Sequence, residues 1–160
     1  MEPVNPKGLG SAELLRRIAP FGGTASDARR IQARVIRHGD LDLRRIPQLR
    51  GTVRRAAESQ FELGALRLVS RVASQEDPFV KYAFSTHDGA IIEAVRIPLE
   101  KPGRFSLCLS SQAGCPLACT FCATGRMGLK RNLETWEIVD QFLQVRNDLG
   151  GAGRISGAVF

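Results

Sequence analysis

The feature that most constrains the fold lies between residues 104 and 160. It reads as a strand, FSLCLS, a long cysteine-rich loop, a helix from about Glu134 to Asp148, a Gly-Gly-Ala-Gly turn and a second strand, ISGAVF. A strand–helix–strand order of this kind requires two parallel strands. Two parallel strands and one helix cannot cover both faces of a parallel sheet. The pattern therefore predicts an α/β fold in which this segment is the first βαβ unit of a larger, here incomplete, (β/α) barrel.

Two further segments precede residue 104. Residues 1–64 have the caps and apolar spacing of three short helices, the third with Pro47 in its first turn. Residues 65–103 contain three β-type runs, with an Asp-Gly hairpin signal before the third and a linker from Pro98 to Gly103. We therefore predict three parts: a helical N-terminal accessory domain at 1–64, a small antiparallel β segment with its linker at 65–103, and the barrel core from 104.

Charge and composition restrict the function less than the fold. Residues 1–62 hold 12 basic and 7 acidic side chains, which is most of the formal net charge of +7. Such an excess can attract a nucleic-acid backbone, and it can equally be a solvated helix surface. The sequence lacks both an apolar run of about 18 residues and the apolar stretch of a signal peptide, so we expect a cytoplasmic protein.

All four cysteines lie between Cys108 and Cys122, so a disulfide among them would close only a very short loop. Close spacing on a Gly- and Pro-containing loop favours a metal centre, with Cys115, Cys119 and Cys122 as ligands. On a cubic 4Fe-4S cluster, three cysteines leave the fourth iron open to another ligand. That vacancy is typical of a catalytic cluster.

Zinc is the main alternative, because three cysteines and one histidine form a closed structural site. The chain has only His38 and His87, and both are far from the cysteines in sequence. The residues therefore favour an iron–sulfur cluster over zinc.

The run SLCLSSQAGCPLACTFCATGRMGLKRNLETWEIVDQ resembles the signature segment of the RlmN/Cfr family of radical S-adenosylmethionine RNA adenine methyltransferases. The likeness includes the spacing of all four cysteines and the GRMGLKRNL continuation. Upstream, IIEAVRIP resembles the family's strand before the linker, and the helical front resembles its accessory domain. The resemblance thus covers essentially the whole chain, and it implies that residues 104–160 begin a radical S-adenosylmethionine core.

The resemblance implies two cofactors, a 4Fe-4S cluster and S-adenosylmethionine. Cys115, Cys119 and Cys122 would hold the cluster, and its open iron would bind S-adenosylmethionine, which an electron cleaves to a radical. The implied reaction methylates carbon-2 of an adenine in 23S rRNA, with tRNA as a second candidate substrate. Family members that methylate carbon-8 share this segment, so the sequence leaves carbon-2 and carbon-8 both open. An electron donor such as flavodoxin is the other implied partner.

Two catalytic residues are implied as well. Cys108 matches the cysteine that resolves the protein–RNA adduct and then forms a transient disulfide; by itself it would be read as an inert buried cysteine. Glu93 matches the family's proton-accepting glutamate; by itself it would be the solvent-facing half of an alternating strand.

Three basic residues follow the cysteines, Arg126, Lys130 and Arg131. They could meet RNA phosphate or the cluster's charge, or they could be solvated. We expect Phe121 to shield the cluster and Trp136 to pack in the core.

In the family, a Gly-Met-Gly-Glu-Pro segment follows the ISGAVF strand, and the methyl-carrying cysteine lies near the C-terminus. Neither is among these 160 residues. We therefore expect that a polypeptide of this extent does not complete methyl transfer alone. A nonenzymatic RNA-binding remnant and a small metal-binding module are the alternative functions.

Overall fold

The computed structural model describes residues 3–160, which form two compact units that divide between Ala65 and Leu66. The helices are α1 Ser11–Ile18, α2 Ala25–His38, α3 Gly51–Gln60, α4 Ala123–Arg126 and α5 Thr135–Leu149. The strands are β1 Arg67–Ala73, β2 Val80–Ser85, β3 Ile91–Pro98, β4 Arg104–Leu109, β5 Gln112–Gly114, β6 Leu129–Asn132 and β7 Arg154–Val159.

The first unit is helical, as the sequence predicts. Its α2 begins at a capping box in which the Thr24 side chain accepts the backbone N–H of Asp27 (3.2 Å) and the Asp27 carboxylate accepts the N–H of Thr24 (2.9 Å). The helix ends at Gly39, whose positive φ of 69° suits glycine. The helices bury one apolar face each around a shared core: Leu14, Ile18, Ala28, Ile31, Val35, Val53 and Ala57.

The third helix starts later than predicted. Pro47 lies in a turn, and α3 begins at Gly51 with Arg50 as its N-cap. Ile46 and Leu49 are both buried, and the Leu49 N–H bonds to the Ile46 carbonyl within the turn. Burial of these two apolar side chains therefore keeps the chain in turns for four more residues.

The second unit is built on one mixed sheet with strand order β1-β2-β3-β4-β7. Strands β1 to β4 pair with one another in antiparallel fashion, and β7 runs parallel to β4. The antiparallel segment and the βαβ unit thus share a sheet rather than forming separate layers. The predicted division at residue 103 falls between β3 and β4, which are paired.

The predicted linker between these strands is a tight turn. The Leu99 N–H bonds to the Arg104 carbonyl at 2.9 Å, and the Arg104 N–H bonds to the Lys101 carbonyl at 3.1 Å. Gly103 takes a positive φ of 71°. Because these hydrogen bonds reverse the chain at once, β4 returns directly alongside β3.

Helix α5 covers one face of the sheet, as the predicted βαβ unit requires. Ile92 and Ala94 of β3 and Leu107 and Leu109 of β4 point into the buried side, while the residues between them point to the other face. The α/β fold class is confirmed. Among the described residues of the second unit, no helix covers the other face of the sheet. None of the helices described in residues 3–160 has the length and apolarity needed to cross a membrane.

The capping box gives a test of the helical unit. We expect Thr24→Ala to lower the free energy of unfolding by about 1 kcal/mol, because the Asp27 N–H loses its side-chain acceptor and the Asp27 carboxylate loses the Thr24 hydroxyl donor. Thermal and urea unfolding followed by circular dichroism would measure this. Thr52→Ala, at an exposed position of α3, is the matched control; an equal loss in both variants would contradict the cap.

Candidate functional site

The cysteine loop leaves the carboxyl end of β4 and is closed at its base by a two-stranded sheet that the sequence did not predict. Strands β5 and β6 pair through Gln112 with Asn132 and Ala113 with Arg131. Below them, the Leu133 N–H donates to the Ser111 carbonyl at 2.9 Å. The three candidate ligands therefore lie on a closed loop with fixed ends.

Glycine makes this closure possible. Gly114 has a φ of +81°, and a Cβ placed on it would lie 1.8 Å from the carbonyl oxygen of Gly128. The Cys115 N–H donates to that same carbonyl at 3.2 Å. A side chain at position 114 would thus push apart the two strands that close the loop.

A second close approach shapes the loop around Cys119 and Cys122. The Cys122 N–H bonds to the Cys119 carbonyl at 3.1 Å, and the short helix α4 starts directly after Cys122. A Cβ on Gly125 would lie 2.9 Å from both the nitrogen and the oxygen of Cys119, and Ala118 adopts a positive φ of 49°. Backbone packing therefore holds these two cysteines in one turn.

The four thiols are free and half-buried. The pKa of the Cys122 thiol is lowered by hydrogen bonds from the backbone N–H of Gly125 and then of Thr124, which outweigh the effect of burial. Because the thiolate is the form that binds metal, the start of α4 prepares Cys122 as a ligand.

The other loop side chains differ in their exposure and contacts. Arg126 folds back and donates to the Thr120 carbonyl from Nε (3.1 Å) and Nη2 (2.8 Å). Phe121, expected to shield a cluster, is 89% exposed, and Leu117 is 77% exposed. The chain thus presents two apolar side chains to solvent beside the cysteines.

Glu93 and Cys108 lie on the uncovered face of the sheet. Cys108 is paired with Val95 of β3, and Glu93 lies two residues from Val95 on the same face. Such diagonal neighbours lie roughly 7–8 Å apart, with their Cβ atoms somewhat closer. Lys81 on β2 forms an ion pair with Glu93, with Nζ 3.0 Å from Oε1. The fold therefore brings together two residues that the sequence separates by fifteen positions.

Known proteins match the chain along its length. A probable RNA methyltransferase of Sorangium cellulosum is 56% identical over 139 residues, which are 84% of this chain and 35% of that protein. The dual-specificity RNA methyltransferase RlmN of Syntrophobacter fumaroxidans is 41% identical over 160 residues, which are 100% of this chain and 46% of that protein. A solved radical SAM methyltransferase from Sphaerobacter thermophilus superposes with a TM-score of 0.80 at 34% identity, over 99% of this chain and 46% of that one.

Over most of its length the chain is similar to RlmN-type RNA methyltransferases and to a radical SAM methyltransferase. It spans less than half the length of the relatives just described. No protein-family model matches it.

The sequence predicts that the three loop cysteines hold a 4Fe-4S cluster, and the donor set fits that group. Within residues 3–160, no three His, Cys, Asp or Glu side chains converge as a metal-binding group. A single zinc ion requires all its sulfur ligands at about 2.3 Å from one point. A cubane instead takes each thiolate on a separate iron, so its ligands can lie farther apart. Three thiols on a loop whose sequence contains no histidine therefore suit the cluster better than zinc.

The sequence did not reveal how the cysteine loop is anchored. Arg131, left open between RNA, cluster and solvent, is bound by Asp88 and by the fully buried Glu137. Trp136, expected in the core, is half-buried and donates to the Glu134 carboxylate at 2.8 Å. A signal was available: Glu137 lies four residues before Gln141 and eight before Val145, so all three fall on one face of the helix.

The loop closure can be tested through its glycine. We expect Gly114→Ala to lower the midpoint of thermal unfolding by several degrees. The new Cβ would collide with the Gly128 carbonyl, and alanine disfavours the positive φ that this position requires. Differential scanning calorimetry on the chain would measure the shift. Gly151→Ala is the control, since that position has no positive φ and no neighbour within 4 Å of the added carbon. Equal midpoints for the two variants would contradict the closure.

Cys122 gives a pH-dependent test. Since its pKa is lowered, its thiolate forms at a lower pH than that of an ordinary cysteine, whose pKa is about 8.5. We expect alkylation of Cys122 by iodoacetamide in the metal-free chain to rise with pH and to reach half its maximum at a lower pH than alkylation of the same cysteine in an unfolded peptide. Residue-resolved mass spectrometry would follow it. A midpoint at or above that of an unfolded cysteine peptide would contradict the helix-start hydrogen bonds.

Proposed function

We propose that this chain is the N-terminal part of a radical S-adenosylmethionine methyltransferase acting on carbon-2 of adenine in 23S rRNA and in tRNA. The carrying observation is the closed loop at the carboxyl end of β4, with three free thiols in the segment shared with the family. In barrels of this kind the active site lies at that end of the strands. Since the chain matches less than half of each relative, the activity is proposed for a protein of their full length.

Each site residue has a proposed role. Cys115, Cys119 and Cys122 would hold a 4Fe-4S cluster, which when bound supplies the electron and the open iron for S-adenosylmethionine. Cys108 would act as the thiol that resolves the adduct, in a transient disulfide with a cysteine that this chain does not contain. Glu93 would accept the proton.

The uncovered sheet face supports these two roles. In a closed barrel the helices lie outside, so the face opposite α5 becomes the interior. Glu93 and Cys108 share that face, and the Lys81 ammonium holds the Glu93 carboxylate in place. Proton transfer at Glu93 requires a carboxylate within hydrogen-bond reach of the substrate, and a side chain on a strand supplies a fixed position.

The partners are proposed on chemical grounds. RNA is the substrate named for the relatives, and the excess of basic residues at 1–62 suits a phosphate backbone. An RNA substrate implies a cytoplasmic location. A reductant such as flavodoxin is required because each cleavage of S-adenosylmethionine consumes an electron.

Anaerobic reconstitution with iron and sulfide tests the cluster assignment. We expect the wild-type chain to take up iron and inorganic sulfide in equal amounts, and Cys115→Ser, Cys119→Ser and Cys122→Ser each to lose most of both. Metal analysis, absorbance and electron paramagnetic resonance would measure this. Cys108→Ser is the matched control, because Cys108 lies on β4 outside the loop and should retain full uptake.

Two outcomes would reject the proposal. Zinc bound in preference to iron would indicate a structural metal module. Equal loss of iron in Cys108→Ser and in the three loop variants would show that the loop cysteines do not form a distinct ligand set.

A further inference from the structure

One face of α5 holds both stems of the cysteine loop. On the stem before the loop, Gln141 makes a pair of hydrogen bonds to Ser110: its Oε1 accepts the Ser110 N–H at 3.0 Å, and its Nε2 donates to the Ser110 carbonyl at 3.0 Å. Gln141 is fully buried. The residue that follows β4 is therefore fixed to the helix through both of its backbone polar groups.

On the stem after the loop, Glu137 holds Arg131. Glu137 precedes Gln141 by one helical turn and is also fully buried. Its two carboxylate oxygens accept Arg131 Nη1 at 2.7 Å and Nη2 at 2.8 Å, a bidentate pair. Since Arg131 lies on β6, the buried helix face fixes this stem as well.

Arg131 also reaches the β2–β3 hairpin on its other side. Nε donates to Asp88 Oδ2 at 2.8 Å and Nη2 to Asp88 Oδ1 at 3.1 Å, while Nη1 also donates to the Asn132 carbonyl at 3.2 Å. These bonds and the pair to Glu137 occupy all five N–H donors of the guanidinium. Arg131 therefore has no donor left for an RNA phosphate.

The charges of this cluster reinforce one another. The pKa of Arg131 is raised far above its usual value by its hydrogen bonds to Glu137 and Asp88. The pKa of Asp88 is lowered by Arg131 and Thr86. Burial acts to raise the pKa of Glu137, but the bonds from Arg131 and the Glu134 N–H outweigh it and lower the pKa. All three groups are therefore charged at neutral pH.

We propose that Arg131 is a positioning residue that fixes the spacing of the three loop cysteines by locking β6 between Asp88 and Glu137. The inference rests on the proposed function only for the identity of the cluster that the loop would bind. The role of Arg131 in fixing the loop does not depend on it. A buried ion pair adds little net stability compared with an apolar core, so its value here lies in specifying one arrangement. An apolar contact tolerates small shifts of the strand. The planar guanidinium of Arg131, with all five N–H groups bonded, is satisfied in only one position of β6.

The experiment compares Arg131→Gln and Arg131→Lys in the full 160-residue chain, with Lys130→Gln as the matched control. Lys130 is the exposed neighbour of Arg131 on β6. Hydrogen exchange of the metal-free chain reports the loop amides directly, since the N–H groups of Cys115, Cys122 and Met127 are bonded within the loop. Amides of α2, in the other compact unit, serve as the internal reference.

In Arg131→Gln we expect the loop amides to exchange about 10- to 100-fold faster, the range that follows from losing charged hydrogen bonds. The amides of α2 and of the β2–β3 strands should keep their rates. Arg131→Lys retains the charge without the fork and should be intermediate, and Lys130→Gln should match the wild type. After anaerobic reconstitution, Arg131→Gln should bind less iron and give a broader paramagnetic resonance signal from the reduced cluster.

Unchanged loop exchange in Arg131→Gln would overturn the proposal. So would acceleration of the whole second unit by the same factor, since that shows general stability rather than positioning. If Arg131→Gln fails to fold, Asp88→Asn, which keeps the Glu137 pair, must accelerate the loop selectively, or the proposal fails. A wild-type chain that takes up no iron would reject the proposed function, while the exchange comparison would still decide the role of Arg131.

Discussion

Burial of α5 against the mixed sheet is the interaction on which the rest of the second unit depends. Apolar residues such as Leu143 and Val145 lose their contact with water there, which is the main favourable term. The same burial takes Glu137 and Gln141 out of water, and a buried carboxylate or amide is costly unless it is paired. Their partners are the two stems of the cysteine loop. The helix therefore stabilises the sheet and determines where the loop begins and ends.

The sheet has two faces with different roles. One is apolar and covered by α5, while the other carries Glu93 and Cys108. Strand alternation produces this division from the sequence alone, because neighbouring residues on a strand point to opposite faces. The cysteine loop follows β4 and therefore lies at the carboxyl end of the parallel pair β4–β7. The helix that stabilises the sheet and the two residues with proposed catalytic roles therefore lie on opposite faces of the sheet.

Several predictions from sequence were confirmed because they rest on local rules. The three helices predicted for residues 1–64 and the βαβ order of residues 104–160 both appear in the structure. The family resemblance is confirmed by the relatives. The roles of the cysteines and Glu93 stay predictions. The start of α3 was wrong, because the burial of Ile46 and Leu49 overrode the preference of Pro47 for a first helical turn.

Two differences from the sequence predictions have a common cause: the segment from Pro98 to Gly103 is a tight turn and not a linker, and the β5–β6 pair was not predicted. Both depend on backbone hydrogen bonds between residues whose types give little signal, such as Leu99 with Arg104 and Cys115 with Gly128. Short strands of three or four residues are too brief for an alternating pattern to be recognised. Turn geometry and strand pairing are therefore where reading the chain residue by residue fails first.

The sequence by itself determined the α/β class, the set of thiols and the family, because spacing along a chain fixes periodicity and motif. The tertiary structure alone decided that Glu93 and Cys108 are neighbours on one face and that Arg131 is locked between Asp88 and Glu137. These partners lie 6 to 43 positions apart along the chain. Charged and polar side chains show no preference for such distant partners in sequence, since their pairing arises only when burial removes the competing water.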